Sequence, residues 1–101
     1  VRIVLTTFGS EEDAARVVRI LVEEKLAACG TMIPGARSIY TWEGAVHDER
    51  EVLVLLKTAA FEPLAARLGE LHPYETPEIV ALNPAEVSGR YLAWIEASCG
   101  V

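Results

Sequence analysis

The 101-residue sequence predicts an α+β fold of the split βαβ, ferredoxin-like kind, in the order β-α-β-β-α-β with an added C-terminal helix. Three observations predict it. Stretches rich in β-branched residues alternate with stretches whose apolar residues recur at three- and four-residue spacing. Two long strand-type runs flank Glu43-Gly44, a hairpin turn. No repeat, linker or low-complexity stretch divides the chain, so residues 1–101 read as one domain in which two helices cover one face of a four-stranded antiparallel sheet.

Val1 to Thr7 carries β-branched residues on both parities and is stopped by Phe8-Gly9, which makes it the first strand. Ser10 then caps a helix whose first turn holds Glu11, Glu12 and Asp13, acids that favour a helix N-terminus. Ala14, Val17, Val18, Leu21 and Val22 carry the helical spacing as far as Leu26, with Lys25 in the last turn. Thr31 to Ile33 and Arg37 to Trp42 read as strand, interrupted by Pro34-Gly35, which implies an edge position or a bulge. The chain returns from about Val46 to Thr58. Ala60 to Leu71 is a second helix, with Pro63 in its first turn and Pro73 ending it. Glu78 to Leu82 is the fourth strand, and Arg90 to Ser98 the closing helix.

Apolar content exceeds what this fold buries by itself. Counting Gly and leaving out Tyr, the apolar share is about 55%, against roughly 45–50% for average domains. The longest unbroken apolar run is Val52 to Leu56, far short of the ~18 residues of a spanning helix, so membrane insertion is not expected. Ile3-Val4-Leu5, Val52 to Leu56 and Ile79 to Leu82 are apolar on both parities, so three strands are expected to be covered on both faces. Helices cover one face; further copies of the chain are expected on the other. The net charge of −6, with no basic stripe, argues against nucleic acid as a partner. Cys29 and Cys99 stand seventy residues apart without metal-ligand spacing and read as reduced cytoplasmic thiols. No signal peptide is read ahead of the first strand, which disfavours secretion.

Ordered segments along the whole chain add a second line of argument: Leu21-Val22-Glu23-Glu24-Lys25-Leu26-Ala27-Ala28-Cys29, Pro34-Gly35, Ser38-Ile39-Tyr40, Trp42-Glu43-Gly44, Lys57-Thr58, His72-Pro73-Tyr74-Glu75-Thr76-Pro77-Glu78-Ile79 and Tyr91-Leu92-Ala93-Trp94. In these the sequence resembles the CutA divalent-cation tolerance family. The resemblance implies a cytoplasmic homotrimer, similar in fold to the PII proteins, linked to tolerance of copper and other divalent cations and without an established catalytic reaction. It also exposes departures. Thr6 stands where some bacterial members carry a proposed copper-ligating cysteine, and Leu71 replaces the first of a histidine pair, leaving His72. Thr31 replaces an asparagine, and Val87-Ser88-Gly89 alters the approach to the last helix. A single imidazole makes a poor copper site, so Cu2+ or another divalent cation is expected to bind weakly.

Candidate site residues follow from this frame. His72 to Glu78 is stiffened by Pro73 and Pro77, a rigid display that suits binding as well as plain connection. His72 is the candidate metal ligand, with Glu75 or Glu78 adding oxygen. Trp42, Lys57, Tyr74 and Glu78 are candidates for an intersubunit cleft that accepts a small ligand or a partner protein segment, the PII-like alternative to a metal function. Cys29 is a candidate thiol, expected as a small core residue whose neighbours Glu23 and Glu24 oppose thiolate formation. His47-Asp48-Glu49 follows the hairpin turn and offers groups that could catch a cation weakly, though a solvated strand tip accounts for its polarity more simply. Catalysis is not expected. The first loop, Thr7 to Ser10, leads into three acids that repel phosphate, and no nucleophile-base set or Gly-rich loop can be read.

Overall fold

In the computed structural model, which describes residues 1–101, the elements are β1 (Arg2–Phe8), α1 (Glu11–Glu23), β2 (Cys29–Trp42), β3 (Ala45–Thr58), α2 (Phe61–Leu71), β4 (Val80–Leu82) and α3 (Gly89–Ser98). The strands form one sheet in the order β2-β3-β1-β4, every pair antiparallel. This is the expected ferredoxin-like order. It places β1 in the interior and leaves β2 and β4 as edges.

Local chemistry accounts for the element ends. The Ser10 hydroxyl accepts from the Asp13 N–H at 3.1 Å, capping α1. The helix ends at Glu23, earlier than the apolar spacing suggests. Lys25 adopts φ 61°, its N–H returns to Val22 O at 3.0 Å, and the Leu26 N–H returns to Leu21 O at 2.9 Å. Those two bonds are a Schellman close, with Lys25 at the left-handed position that glycine usually fills. Lys25 therefore lies beyond the last turn, and Leu26 packs on the core from the connection. Pro34-Gly35 does not break β2. It makes a bulge between the Ile33 and Ala36 pairings, with Gly35 at φ 81°, and proline is tolerated because β2 is an edge. Glu43 and Gly44 both have positive φ, as a type I′ hairpin turn requires.

The fourth strand is shorter than expected, beginning at Val80 and leaving Glu78 and Ile79 outside the ladder. The Thr7 carbonyl, two residues beyond the Leu5–Val80 pairing, accepts from the His72 ring at 2.8 Å instead of continuing the ladder.

The two sheet faces differ. Val4, Phe8, Val54 and Leu56 point to α1 and α2 and are fully buried with Val17, Leu21, Leu64 and Leu68. On the opposite parity α3 covers only one end, where the Tyr91 hydroxyl lies 3.6 Å from Cys29 Sγ and the Lys57 ammonium 5.7 Å from the Tyr91 ring centre. Beyond that end Leu5, Leu53 and Leu55 are half-buried, and Ile33, Val80 and Leu82 are 43%, 46% and 47% exposed. Burial on both faces thus holds within one chain only beneath α3.

At Gly30 α1 packs tightly on the sheet. A Cβ there would meet Val18 Cγ1 at 2.5 Å and Leu56 Cδ2 at 3.0 Å. Gly30→Ala is expected to cost about 1–3 kcal/mol by overpacking, measured as a lower urea midpoint, and Val18→Ala in the same chain should recover part of the loss.

Candidate functional site

The connection from α2 to β4 carries the densest polar contacts outside the ladders. His72 ends α2, its N–H bonded to Leu68 O at 2.9 Å, after which the backbone extends at φ −69° and ψ 134° into Pro73. The imidazole is 7% exposed and stacks on Phe8, ring centres 4.2 Å apart and planes 15° apart. The Tyr74 backbone N–H donates to Nδ1 at 3.1 Å, so Nδ1 is the bare nitrogen and Nε2–H is the donor to Thr7 O at 2.8 Å. Burial holds the ring's pKa below the ordinary imidazole value, although the Thr7 carbonyl bond, Asp13 and Glu51 pull the other way. His72 is thus a neutral ring with both nitrogens occupied. A metal could take Nδ1 only by displacing the Tyr74 N–H.

Holding the Tyr74 backbone directs its side chain. The Tyr74 hydroxyl donates to Glu51 Oε2 at 2.7 Å, and burial, then the neighbouring Glu51 charge, raises the phenol pKa well above the ordinary value, so it remains a donor. Between this connection and the β2–β3 hairpin lies an open groove of about 680 Å³. Tyr40, Trp42 and Tyr74 give it aromatic walls, and Glu49, Glu51, Glu75 and Glu78 give it charge. The cation that lines it, Arg37, is held by both oxygens of Asp48 at 2.8 and 2.6 Å. Burial raises the Tyr40 pKa as well, reinforced by Glu49 and Glu51. The groove is concave, aromatic and negative.

The candidates from the sequence divide between two places. Trp42, Tyr74 and Glu78 line the groove. Lys57 lines a separate cavity of about 280 Å³ with Ile3, Tyr91 and Ile95, and so is not beside Glu78 within the subunit. Cys29 is half-buried there rather than a core thiol, its Sγ 3.9 Å from Lys57 Nζ and 3.6 Å from the Tyr91 hydroxyl. Of the two acids near it in sequence, Glu24 is held by Arg67 through two bonds of 2.9 Å. At the strand tip, Asp48 is taken by Arg37 and His47 stacks on Tyr40 at 5.3 Å. No three His, Cys, Asp or Glu side chains converge to hold a metal ion within the chain, and no helix is long and apolar enough to cross a membrane.

Glu51 was not among the sequence candidates, and Glu49 entered only as part of the polar strand tip His47-Asp48-Glu49. The signal was available: both share the parity of Leu53 and Leu55 on β3, so the strand's open face changes from apolar to acidic along its length.

Comparison with known proteins agrees with this fold. Residues 2–98 match the family model described as CutA1 divalent ion tolerance protein. The chain is 48% identical over 100 residues to the divalent-cation tolerance protein CutA of Thermus thermophilus, covering 97% of each chain. It superposes with a TM-score of 0.93 on divalent ion tolerance protein CutA1 from Ehrlichia chaffeensis, at 29% identity and covering 99% of this chain and 95% of that one. The periplasmic divalent cation tolerance protein CutA from Archaeoglobus fulgidus gives a TM-score of 0.92 at 30% identity, with 97% of each chain covered.

The histidine geometry has a pH consequence. Because the folded pKa is lowered, the unfolded chain binds the proton first; the stabilisation is complete above the ordinary value of 6.5 and is lost as pH falls through the folded value. Unfolding midpoints should therefore decline as pH falls from 6.5 to the folded value, and His72→Phe should flatten the decline.

Proposed function

The chain belongs to the CutA1 divalent ion tolerance family, and from that premise we propose that it acts as a cytoplasmic, non-catalytic homotrimer that binds divalent cations weakly through carboxylates. The observation that carries the cation reading is the groove, where four carboxylates gather and Arg37 is already paired with Asp48. Such a field concentrates cations without a fixed coordination shell. The donors fit a labile, oxygen-bound divalent ion better than tightly held copper, which calls for converging nitrogen or sulfur. His72 then serves as the fastening of the groove wall, and Glu75 and Glu78 remain as oxygen donors. The free thiols of Cys29 and Cys99 suit a cytoplasmic setting.

Assembly is supported by the half-buried Leu5, Leu53 and Leu55 and the exposed Ile33, Val80 and Leu82, a continuous apolar surface on the open sheet face. The number three follows from the family resemblance. Light scattering should give three times 11.0 kDa, reduced by Leu55→Asp; a wild-type monomer at micromolar concentration would sink the assembly. Calorimetric titration with Cu(II) should give weak binding that Glu49→Gln with Glu78→Gln diminishes and His72→Ala leaves in place. Tight binding abolished by His72→Ala would overturn the carboxylate reading.

A second reading, a PII-like small-ligand sensor, is favoured by one observation. Tyr40, Trp42 and Tyr74 contribute aromatic surface to the groove that a hydrated metal ion would not use.

A further inference from the structure

Strand register brings a thiol and an amine together at the end of the sheet away from the groove. Cys29 and Lys57 are directly paired across the β2–β3 ladder, so their side chains leave the sheet on the same face. Sγ lies 3.9 Å from Nζ. Tyr91 of α3 touches both groups, its hydroxyl 3.6 Å from Sγ and its ring centre 5.7 Å from Nζ. Register and helix cover are both supplied by one chain, so the juxtaposition does not depend on a neighbouring copy.

A thiol and an amine do not react with each other while both are nucleophiles. Oxidation changes that, because peroxide converts a thiol to a sulfenic acid whose sulfur is open to a nearby nucleophile. The usual nucleophile is a second thiol, but Cys99, the chain's other cysteine, caps the far end of α3 and is not bonded to Cys29. The group at hand is the Lys57 amine. Cys29 and Lys57 are each half-buried, which admits a molecule the size of hydrogen peroxide and hinders a bulky thiol, since exchange depends on access.

We propose that Cys29 and Lys57 are the site of a peroxide-driven covalent cross-link, a sulfenamide joining Sγ to Nζ. In the first step hydrogen peroxide transfers one oxygen to the thiol, giving the sulfenic acid and one water. In the second, Nζ attacks the sulfur: the S–N bond forms, the S–O bond breaks, the hydroxyl group leaves as water with one proton of the ammonium, and a second proton passes to solvent. Two molecules of a reducing thiol reverse the link, restoring Cys29 and Lys57 and forming one disulfide. The link ties the start of β2 to the end of β3 and removes the ammonium charge that lines the cavity of about 280 Å³.

The test uses the full chain carrying Cys99→Ser, in which Cys29 is the sole thiol. The folded protein is treated with hydrogen peroxide, acetylated at its amines, cleaved at arginine and read by mass spectrometry. Residues 20–37 and 51–67 should be recovered joined, at the sum of their masses less about 2 Da for the two hydrogens lost. Lys25, the other lysine, should be acetylated while Lys57 is not, the denatured product should have the mass of a single chain, and dithiothreitol should separate the peptides. Lys57→Arg keeps the charge but removes the amine, and should abolish the joined peptides and open Cys29 sulfenic acid to trapping by dimedone. Because that change falls at a half-buried position, acetylation of the folded Cys99→Ser protein before oxidation is a second control, with the same loss expected. Cys29 recovered as a sulfinic acid or a dimedone adduct, with Lys57 still open to acetylation, would overturn the proposal. So would a Cys29 that stays reduced under peroxide that oxidises the urea-unfolded chain.

Discussion

One imidazole fastens three separate parts of the chain. His72 sits at the end of α2, donates to the last turn of β1 at Thr7 O, accepts from the Tyr74 backbone and stacks on the fully buried Phe8. Each contact depends on the others, since the ring can donate through Nε2 and accept through Nδ1 only as the neutral tautomer in one orientation. Stacking on Phe8 sets that orientation, and Pro73 keeps the chain extended between the two hydrogen-bonded residues. The position of Tyr74, and through its hydroxyl the position of Glu51, follows from this fastening. A residue with the composition of a metal ligand is employed in holding a groove wall.

The sheet divides the chemistry of the molecule. On the helix side, burial of Val4, Phe8, Val54 and Leu56 against α1 and α2 supplies a conventional apolar core. The open side changes character along β3, from Lys57 and Cys29 under α3, through Leu55 and Leu53, to Glu51 and Glu49 beside the hairpin. Apolar surface in the middle suits association of copies. The two ends carry opposite charge, with Lys57 near Tyr91 at one and the acidic groove at the other. Lys57 and Glu78 do not meet within the subunit because they line separate cavities.

Ion pairs at the surface act mainly by removing charge from where it would interfere. Arg37 faces the groove but is held by Asp48, which lowers the Asp48 pKa, raises that of Arg37 and leaves the carboxylates of the groove without a counter-ion. Arg67 of α2 likewise neutralises Glu24 through two hydrogen bonds. Both pairs are exposed and contribute little to stability. Their effect on the local field is the larger one.

Much of the fold was legible in the sequence because it is encoded locally. Ser10 followed by three acids specifies a helix start, Glu43-Gly44 a tight hairpin, Pro34-Gly35 an edge bulge, and apolar residues on both parities a sheet needing cover on two sides. The family could be recognised for a similar reason, from ordered local segments such as His72 to Ile79. What required the tertiary structure was every property set by partners distant in sequence. The free lone pair of His72 is lost to the fold's placement of Thr7 and Tyr74 around it; Cys29 is half-buried beside Lys57 and Tyr91 of α3; and Glu51 is a buried residue whose carboxylate accepts from Tyr74, 23 residues away. Periodicity determines which way a side chain points. Hydrogen-bond satisfaction and local field depend on what the fold places opposite it, and that sum over distant neighbours is decided only when the chain is packed.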